Sequence, residues 1–287
     1  MKLHPNTPEP YILFMAGSLG AKANVHLKQL SLFGMITRLP NNITYKIAFT
    51  KLSSDPDSSS SWFVQVRKLC SQYGLPSALS LLTSPPSKCS YNSLVKKHVL
   101  EYWEEFMRSE AASKTSLAYF NTTNMSLTTP HPLWTTSGSN PFEINKSIIV
   151  ARLLSGQYRS DYLTRHWSKT NPSGSCVLCP LKNIPGTIEH MLVSCDALSA
   201  KRDDLILYWE QQAEDNSNLR LLLTSMLSSS PQELVQFLLD PSVVQSVLDG
   251  CQLNHYTLSD VFSLTRTFCY GIHRRRQQLI GRFNYIL

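Results

Sequence analysis

The sequence predicts an all-α chain, several helical domains joined by loops, with one small zinc-knuckle module. Three observations carry this. Apolar residues recur at three- or four-residue spacing through most of the chain, and no stretch alternates apolar and polar residues as a half-buried strand would. Helix-start signals such as Asn140-Pro141 and Ser230-Pro231-Gln232-Glu233 stand where that periodicity begins. Finally, the pair Cys176-x-x-Cys179 is followed by His190 and Cys195, with no repeat of this pattern elsewhere.

The first helix with clear periodicity runs from Ala21 to Leu39, with Val25, Leu32, Ile36 and Leu39 as its apolar positions, and Pro40 stops it. Asn41-Asn42 starts a shorter element through Ile43, Ile47 and Leu52, and residues 53–58 form a loop. Ser60 or Ser61 caps the next helix, whose stripe is Trp62, Val66, Leu69, Cys70 and Tyr73. Gly74 and Pro76 end it, and Arg67 and Lys68 are expected on its solvent side. After Pro85-Pro86 comes the longest candidate, about Ser90 to Ala112, with Tyr91, Leu94, Val95, His98, Tyr102 and Phe106 inward and Met107 beside them. His98 on that stripe is expected to be a hydrogen-bonded core residue rather than a ligand.

Residues 113–140 are rich in Ser, Thr, Asn and Pro and mark the best domain boundary. The expected division is 1–135, 136–200 and 201–287. A helix capped by Asn140 runs through Ile144, Ile148, Ala151 and Leu154 to Gly156, and the zinc module follows it. Beyond Cys195, helices are expected over Ala197 to Glu214 (Leu198, Leu205 and Trp209 inward) and over Asn218 to Leu227. The capping box at Ser230 opens another, Pro241 breaks it, and Val243 to Leu248 makes a further turn or two. The last helix, from about Ser259, has Phe262, Thr265, Phe268, Cys269 and Ile272 as its inner stripe and leads into His273-Arg274-Arg275-Arg276.

At 287 residues the chain suits one to three compact units. A net charge of +7 points to an anionic partner, and the excess lies in the first half, where 14 Lys and Arg face 8 Asp and Glu over residues 1–150. Seven cysteines, an odd number at scattered spacings, do not make a secreted disulfide framework; an intracellular protein of nucleus or cytoplasm is expected. The apolar run from Tyr11 to Ser18 is too short for a signal sequence and follows prolines instead of basic residues. No stretch approaches the roughly 20 apolar residues of a membrane span, so no membrane partner is expected.

The chemistry concentrates between Cys176 and Cys195. Two cysteines separated by two residues reach one ion from a tight turn. Pro185-Gly186 is a turn, Thr187 a plausible N-cap, and His190 then enters from the first helical turn, with Cys195 closing a tetrahedron. Four protein ligands leave no position for water, so one structural Zn2+ is expected; the alternative is four unrelated core residues. Glu189 is read as a surface residue or an outer partner of the site. Asp203 and Asp204 point about 100° apart on a helix and are read as a solvated face. No Gly-rich phosphate loop, GxSxG or HExxH is present, and no catalytic residue is assigned.

Arg152, Arg159, Arg165, His166, Trp167, Lys169 and Lys182 surround the start of the module, with only Asp161 opposing and with Tyr158 and Tyr162 interleaved. Cations among aromatics suit phosphate contact and base stacking, so RNA or DNA is the expected partner. The alternative is that these are a solvated helix face with the aromatics in the core. A second basic cluster, Arg266, Arg274, Arg275, Arg276 and Arg282, has the same two readings.

Arg152-Leu-Leu-Ser-Gly-Gln-Tyr-Arg-Ser-Asp-Tyr162, Arg165-His-Trp167, the CxxC pair, Gly186-Thr-Ile-Glu-His-Met-Leu192 and Cys195 together resemble the C-terminal region of non-LTR (LINE-type) retrotransposon reverse transcriptase polyproteins. His26 to Ile36 and His131-Pro-Leu-Trp-Thr-Thr136 resemble the stretch between polymerase thumb and knuckle in such elements, so the resemblance spans about residues 11–200. It implies a metal-stabilised module binding element RNA or target DNA, with Cys176, Cys179, His190 and Cys195 as the ligands. The sequence departs from the family in having no Tyr/Phe-x-Asp-Asp polymerase motif and no endonuclease region. The expectation is therefore a remnant without either activity, the competing one a structural or protein-interaction module in which zinc only holds the fold.

Overall fold

The structure is a computed structural model that describes residues 5–179, 183–244 and 255–283, without the side chains of 244, 255–257 and 282–283. Lys182, residues 245–248 of the turn expected after Pro241, and the Arg282 side chain lie outside the described residues. The chain is all-helical. Among the described residues, the one β feature is an isolated bridge between Ser175 and Pro185. No described helix is long and apolar enough to cross a membrane.

Packing divides the chain into two units, residues 17–110 with 126–128, and residues 1–16, 111–125 and 129–287. The division has two parts where composition suggested three, but the chain does pass from one unit to the other beside and within the polar stretch 113–140. That stretch is itself packed, with Leu117, Phe120, Leu127 and Leu133 buried. Serine- and threonine-rich loops look like spacers in sequence, but a few apolar residues suffice to bury them.

The first unit contains α2 (Ala21–Ile36), α3 (Ile43–Ser54), α4 (Trp62–Gln72), α5 (Ala78–Thr83) and most of α6 (Lys88–Ala112). In α2 the buried residues are Ala23, Leu30, Phe33 and Gly34, while Val25, Leu32 and Leu39 of the expected stripe are about half exposed. The helix has apolar residues all round, and close approach decided the matter. Tyr91 lies where a side chain on Gly34 would be, with its ring 2.2 Å from an ideal Cβ, and its hydroxyl donates to Leu30 O at 2.8 Å. Helix α4 buries Val66, Leu69, Cys70 and Tyr73 as expected, with Val64 where Trp62, only half-buried, was expected; Ser61 precedes it without a side-chain cap bond, and Gly74 at φ +62° lets Leu75 N–H reach back to Cys70 O. Arg67 is half-buried, its guanidinium donating to Leu52 O and Asp55 O. In α6 the inward row is Tyr91, Val95, Val99, Trp103 and Met107, one register away from Tyr102 and Phe106, which are exposed. Trp103 wins because its indole N–H finds Tyr73 Oη at 3.0 Å. His98 is a satisfied core histidine, with Nδ1 2.9 Å from Tyr73 O. Glu104 accepts from Leu127 N–H and Ser126 Oγ–H, which ties residues 126–128 to this unit.

The second unit holds α1 (Glu9–Ala16), α7 (Pro132–Thr135), α8 (Pro141–Leu154), α9 (Asp161–Thr164), α10 (Ser199–Gln212), α11 (Ser217–Leu227), α12 (Pro231–Leu239) and α13 (His255–Phe283). Caps read from sequence are in place: Asn140 Oδ1 accepts from Phe142 N–H, and Ser230 with Glu233 forms a reciprocal box. The core is α13 against α8, α10 and α12. Phe262, Thr265, Phe268, Cys269 and Ile272 are buried as expected, and Trp209 of α10 packs between Phe237 and Phe268. Helix α1 is core too, with Tyr11 donating to Ala151 O at 2.9 Å and packing on Phe120.

Two residues of the second basic cluster turn inward, while Arg274 is exposed. Arg266 is 2% exposed and donates to Leu133 O and to Thr136, while Arg276 is 6% exposed and pairs with Asp161. Long cationic side chains on an otherwise apolar stripe were drawn inward because carbonyls and carboxylates await them there. His273, next to them on α13, sits with Nδ1 2.9 Å from Tyr158 Oη. Burial, then the charges of Arg276, Arg152 and Arg274, hold its imidazole below the ordinary value. The unfolded chain takes up this proton first as pH falls, so stability present above about pH 6.5 is lost below it. A urea midpoint measured from pH 7 down to pH 5 should fall, and more steeply for the unaltered protein than for His273→Gln; parallel curves would refute this.

Candidate metal centre

The knuckle is built from a tight loop and a distorted helix. Ser175 and Pro185 pair across the loop's base, Cys176 N–H donates to Ile184 O, and Gly186 N–H donates to Gly174 O. At its tip Cys179 N–H closes a turn on Cys176 O, which brings the two thiols to the same side. Two glycines are required here. Gly174 lies at φ +69°, and a Cβ on Gly186 would come within 2.6 Å of Asp161 Cβ.

The other two donors come from Thr187 onward. Thr187 caps as expected, its Oγ1 accepting from His190 N–H at 3.1 Å. Residues His190–Ser194 then form a π-turn, in which Cys195 N–H donates to His190 O at 2.7 Å. The wider turn puts His190 and Cys195, five residues apart, at one spot.

Cys176, Cys179, His190 and Cys195 are all buried, and their ligand atoms lie within 4.8 Å of one another. Cys195 Sγ is 3.6 Å from Cys179 Sγ and 3.9 Å from Cys176 Sγ. Two thiolates bonded at about 2.3 Å to one tetrahedral ion stand about 3.8 Å apart, so the sulfurs have the spacing of a shared ion. The imidazole fits the same role. Its Nδ1 lies 3.2 Å from Ser194 Oγ, and its buried Nε2 has no hydrogen-bond partner among the described residues. A hydrogen bond at Nδ1 fixes the tautomer and leaves the Nε2 lone pair for a metal. A space of about 10 Å3 beside these groups is lined by Cys176, His190 and Cys195, with Leu178, Met191 and Leu198 as apolar walls. The site can therefore hold a metal ion.

The electrostatics set two of the thiols apart. The hydrogen bond from Cys195, and then Leu178 N–H and His190, bring the Cys176 thiol down to about 5 against the opposing effect of burial. The Cys195 thiol is pushed up, by that same hydrogen bond and by burial. Arg202, which sequence reasoning passed over, donates to Cys195 O at 2.7 Å. Burial lowers its pKa, opposed by the neighbouring Cys195 and then by the Asp203 and Asp196 carboxylates. It is a cation seven residues beyond the last ligand, and no motif marks it. Asp203 and Asp204 are exposed, as expected. Glu189 stands beside Tyr119 and not among the ligands.

Asp161 is the second residue that sequence reasoning misjudged. It is no counter-charge diluting a basic surface but the joint between knuckle and helices. One carboxylate oxygen accepts from Val177 N–H at 3.2 Å, and the other pairs with Arg276 at 2.7 Å, both side chains being buried. Tyr162 N–H donates to Gly186 O, so α9 is bonded to the knuckle as well.

Of the expected nucleic-acid residues, Arg159, His166, Trp167 and Lys169 are exposed around α9, Trp167 at 74%. Arg165 is half-buried, with its guanidinium 3.6 Å from the Tyr162 ring centroid. Arg152 sits half-buried in the last turn of α8, between the buried Ala151 and Leu153. Tyr158 is core, whereas Tyr162 and Trp167 are not.

The fold and the site define a helical protein with a buried Cys3His cluster suited to one metal ion. No protein-family model, curated protein or solved structure matches the chain.

Proposed function

We propose that this is a non-catalytic, zinc-stabilised module that binds single-stranded RNA or DNA through the exposed segment from Arg159 to Lys169. The observation that carries the reading is Trp167: a tryptophan 74% exposed, beside the exposed His166 and Lys169, on a segment hydrogen-bonded to the knuckle. Exposed rings between cations supply stacking and phosphate contact together. Three thiolates and an imidazole are donors suited to zinc, and four protein ligands leave no position for a reacting water. The resemblance to the C-terminal region of LINE-type reverse transcriptases agrees with this reading, and on it the chain is the nucleic-acid-binding part of such a protein.

A second reading, a protein-interaction module, is favoured by the apolar side chains that the first unit exposes, Leu32, Met35, Leu39, Ile43 and Ile47. Gel shifts across a salt series separate the two. The protein should retard single-stranded RNA or DNA at low salt. Changing Arg159, Arg165 and Lys169 to Ala should weaken binding, and losing the phosphate contacts of Arg159 and Lys169 should reduce the slope of log K against log salt by about 1.4, since each single-strand phosphate contact contributes about 0.7. Absence of retardation at low salt, or an unchanged slope, would refute the binding reading.

A further inference from the structure

A groove of about 540 Å3 opens next to the knuckle, between the turn at residues 115–119, the end of α8 and α9. Its volume lies within the roughly 300–1,000 Å3 range of small-molecule sites. Gly156, at φ +66°, makes the groove's inner corner, because a Cβ there would strike Ser116 O at 2.5 Å. Leu153 and the buried Tyr158 line the groove, together with Tyr119, and Tyr162 lines it with the Arg165 guanidinium stacked on its ring. Arg165 also donates to Tyr162 O at 2.7 Å, which holds cation and ring as one flat platform. His166 lines the groove too, and Arg159 and Lys169 are exposed on the same segment. None of the lining residues is acidic.

Flat walls of tyrosine, a stacked guanidinium and cations close by in the chain suit one kind of guest, a planar ring attached to phosphate. We propose that this groove takes a single unpaired nucleobase of the bound strand, stacked against the Tyr162–Arg165 platform, while Arg159 and Lys169 hold the flanking phosphates. The inference rests on the nucleic-acid reading above and narrows it: the ligand is single-stranded, and one base is drawn out of it.

The test compares two fluorescein-labelled strands of equal length in anisotropy titrations at low salt, mixed-sequence single-stranded DNA and the same phosphate chain carrying abasic sites. The intact protein should bind the base-containing strand about tenfold more tightly, as one stacked base contributes. Tyr162→Leu, which removes the ring, and Ala118→Leu, which fills the groove from an exposed position, should each abolish that preference. Tyr162→Phe should retain it. Equal affinity for the two strands, or a preference that survives Tyr162→Leu, overturns the groove and leaves backbone binding standing. Failure to bind either strand overturns both readings.

Discussion

Cys195→Ser is expected to lower the metal content from about one zinc per chain to near zero and to unfold the knuckle. Cys195 is the sulfur common to both short contacts, 3.6 Å to Cys179 and 3.9 Å to Cys176, so its loss removes the ligand nearest the others. Ion binding in small zinc peptides has apparent free energies of about 10–16 kcal/mol, and in such sites binding energy is folding energy. Here the surrounding helices retain part of the structure, and a loss of about 5 kcal/mol is a reasonable scale. For a unit of this size that lowers the thermal midpoint by about 10–20 °C. Elemental analysis of protein purified without added metal, with a thermal melt, measures both. Cys269→Ser is the control: it too removes a buried thiol, one whose pKa burial raises, but it lies outside the cluster and should leave zinc content unchanged. Full zinc content and an unchanged midpoint in Cys195→Ser would sink the metal assignment.

Arg276→Met should be the most damaging single change away from the metal ligands, costing about 3–5 kcal/mol. The reason is what it leaves behind. Asp161 is paired with Arg276 at 2.7 Å, with side chains only 12% and 7% exposed, and an unpartnered carboxylate in that position has no water to turn to. The pair itself contributes little beyond the cost of its desolvation, so neutralising both ends should recover much of the loss. Asp161→Asn does so while keeping an oxygen for Val177 N–H. The double variant should therefore be more stable in urea than Arg276→Met alone. If the two losses simply add, the pair is not coupled and the joint between α13 and the knuckle is not electrostatic.

Both predictions concern a site whose donors were legible and whose supports were not. The ligand set could be read because its geometry is local: a CxxC turn, a Thr187 cap and an i,i+5 turn each involve a few consecutive residues. Helix ends were legible for the same reason. Asn140 with Pro141, the Ser230 box and Gly74 each satisfy backbone groups within one turn of themselves, so no distant partner can overrule them. The stripe of α13 was also correct: Phe262, Phe268 and Ile272 are buried, and Val261 and Leu264 widen the buried face beside them.

The errors fall where a choice depended on something far along the chain. Helix α2 has two usable apolar faces, and Tyr91, nearly sixty residues on, selected the one containing Gly34. Helix α6 turned by one register because Tyr73 offered Trp103 a hydrogen bond. Arg276 reads as part of a basic run, and only the fold reveals that Asp161 waits for it 115 residues away.

By itself, then, the sequence determined the helical class, the caps and the four donors, because these are settled by interactions within a turn or two. The tertiary structure alone decided which faces are buried, how the chain divides into units, and which cations stay at the surface. Those outcomes turn on desolvation, and whether a side chain loses water is decided by whatever the rest of the chain brings against it.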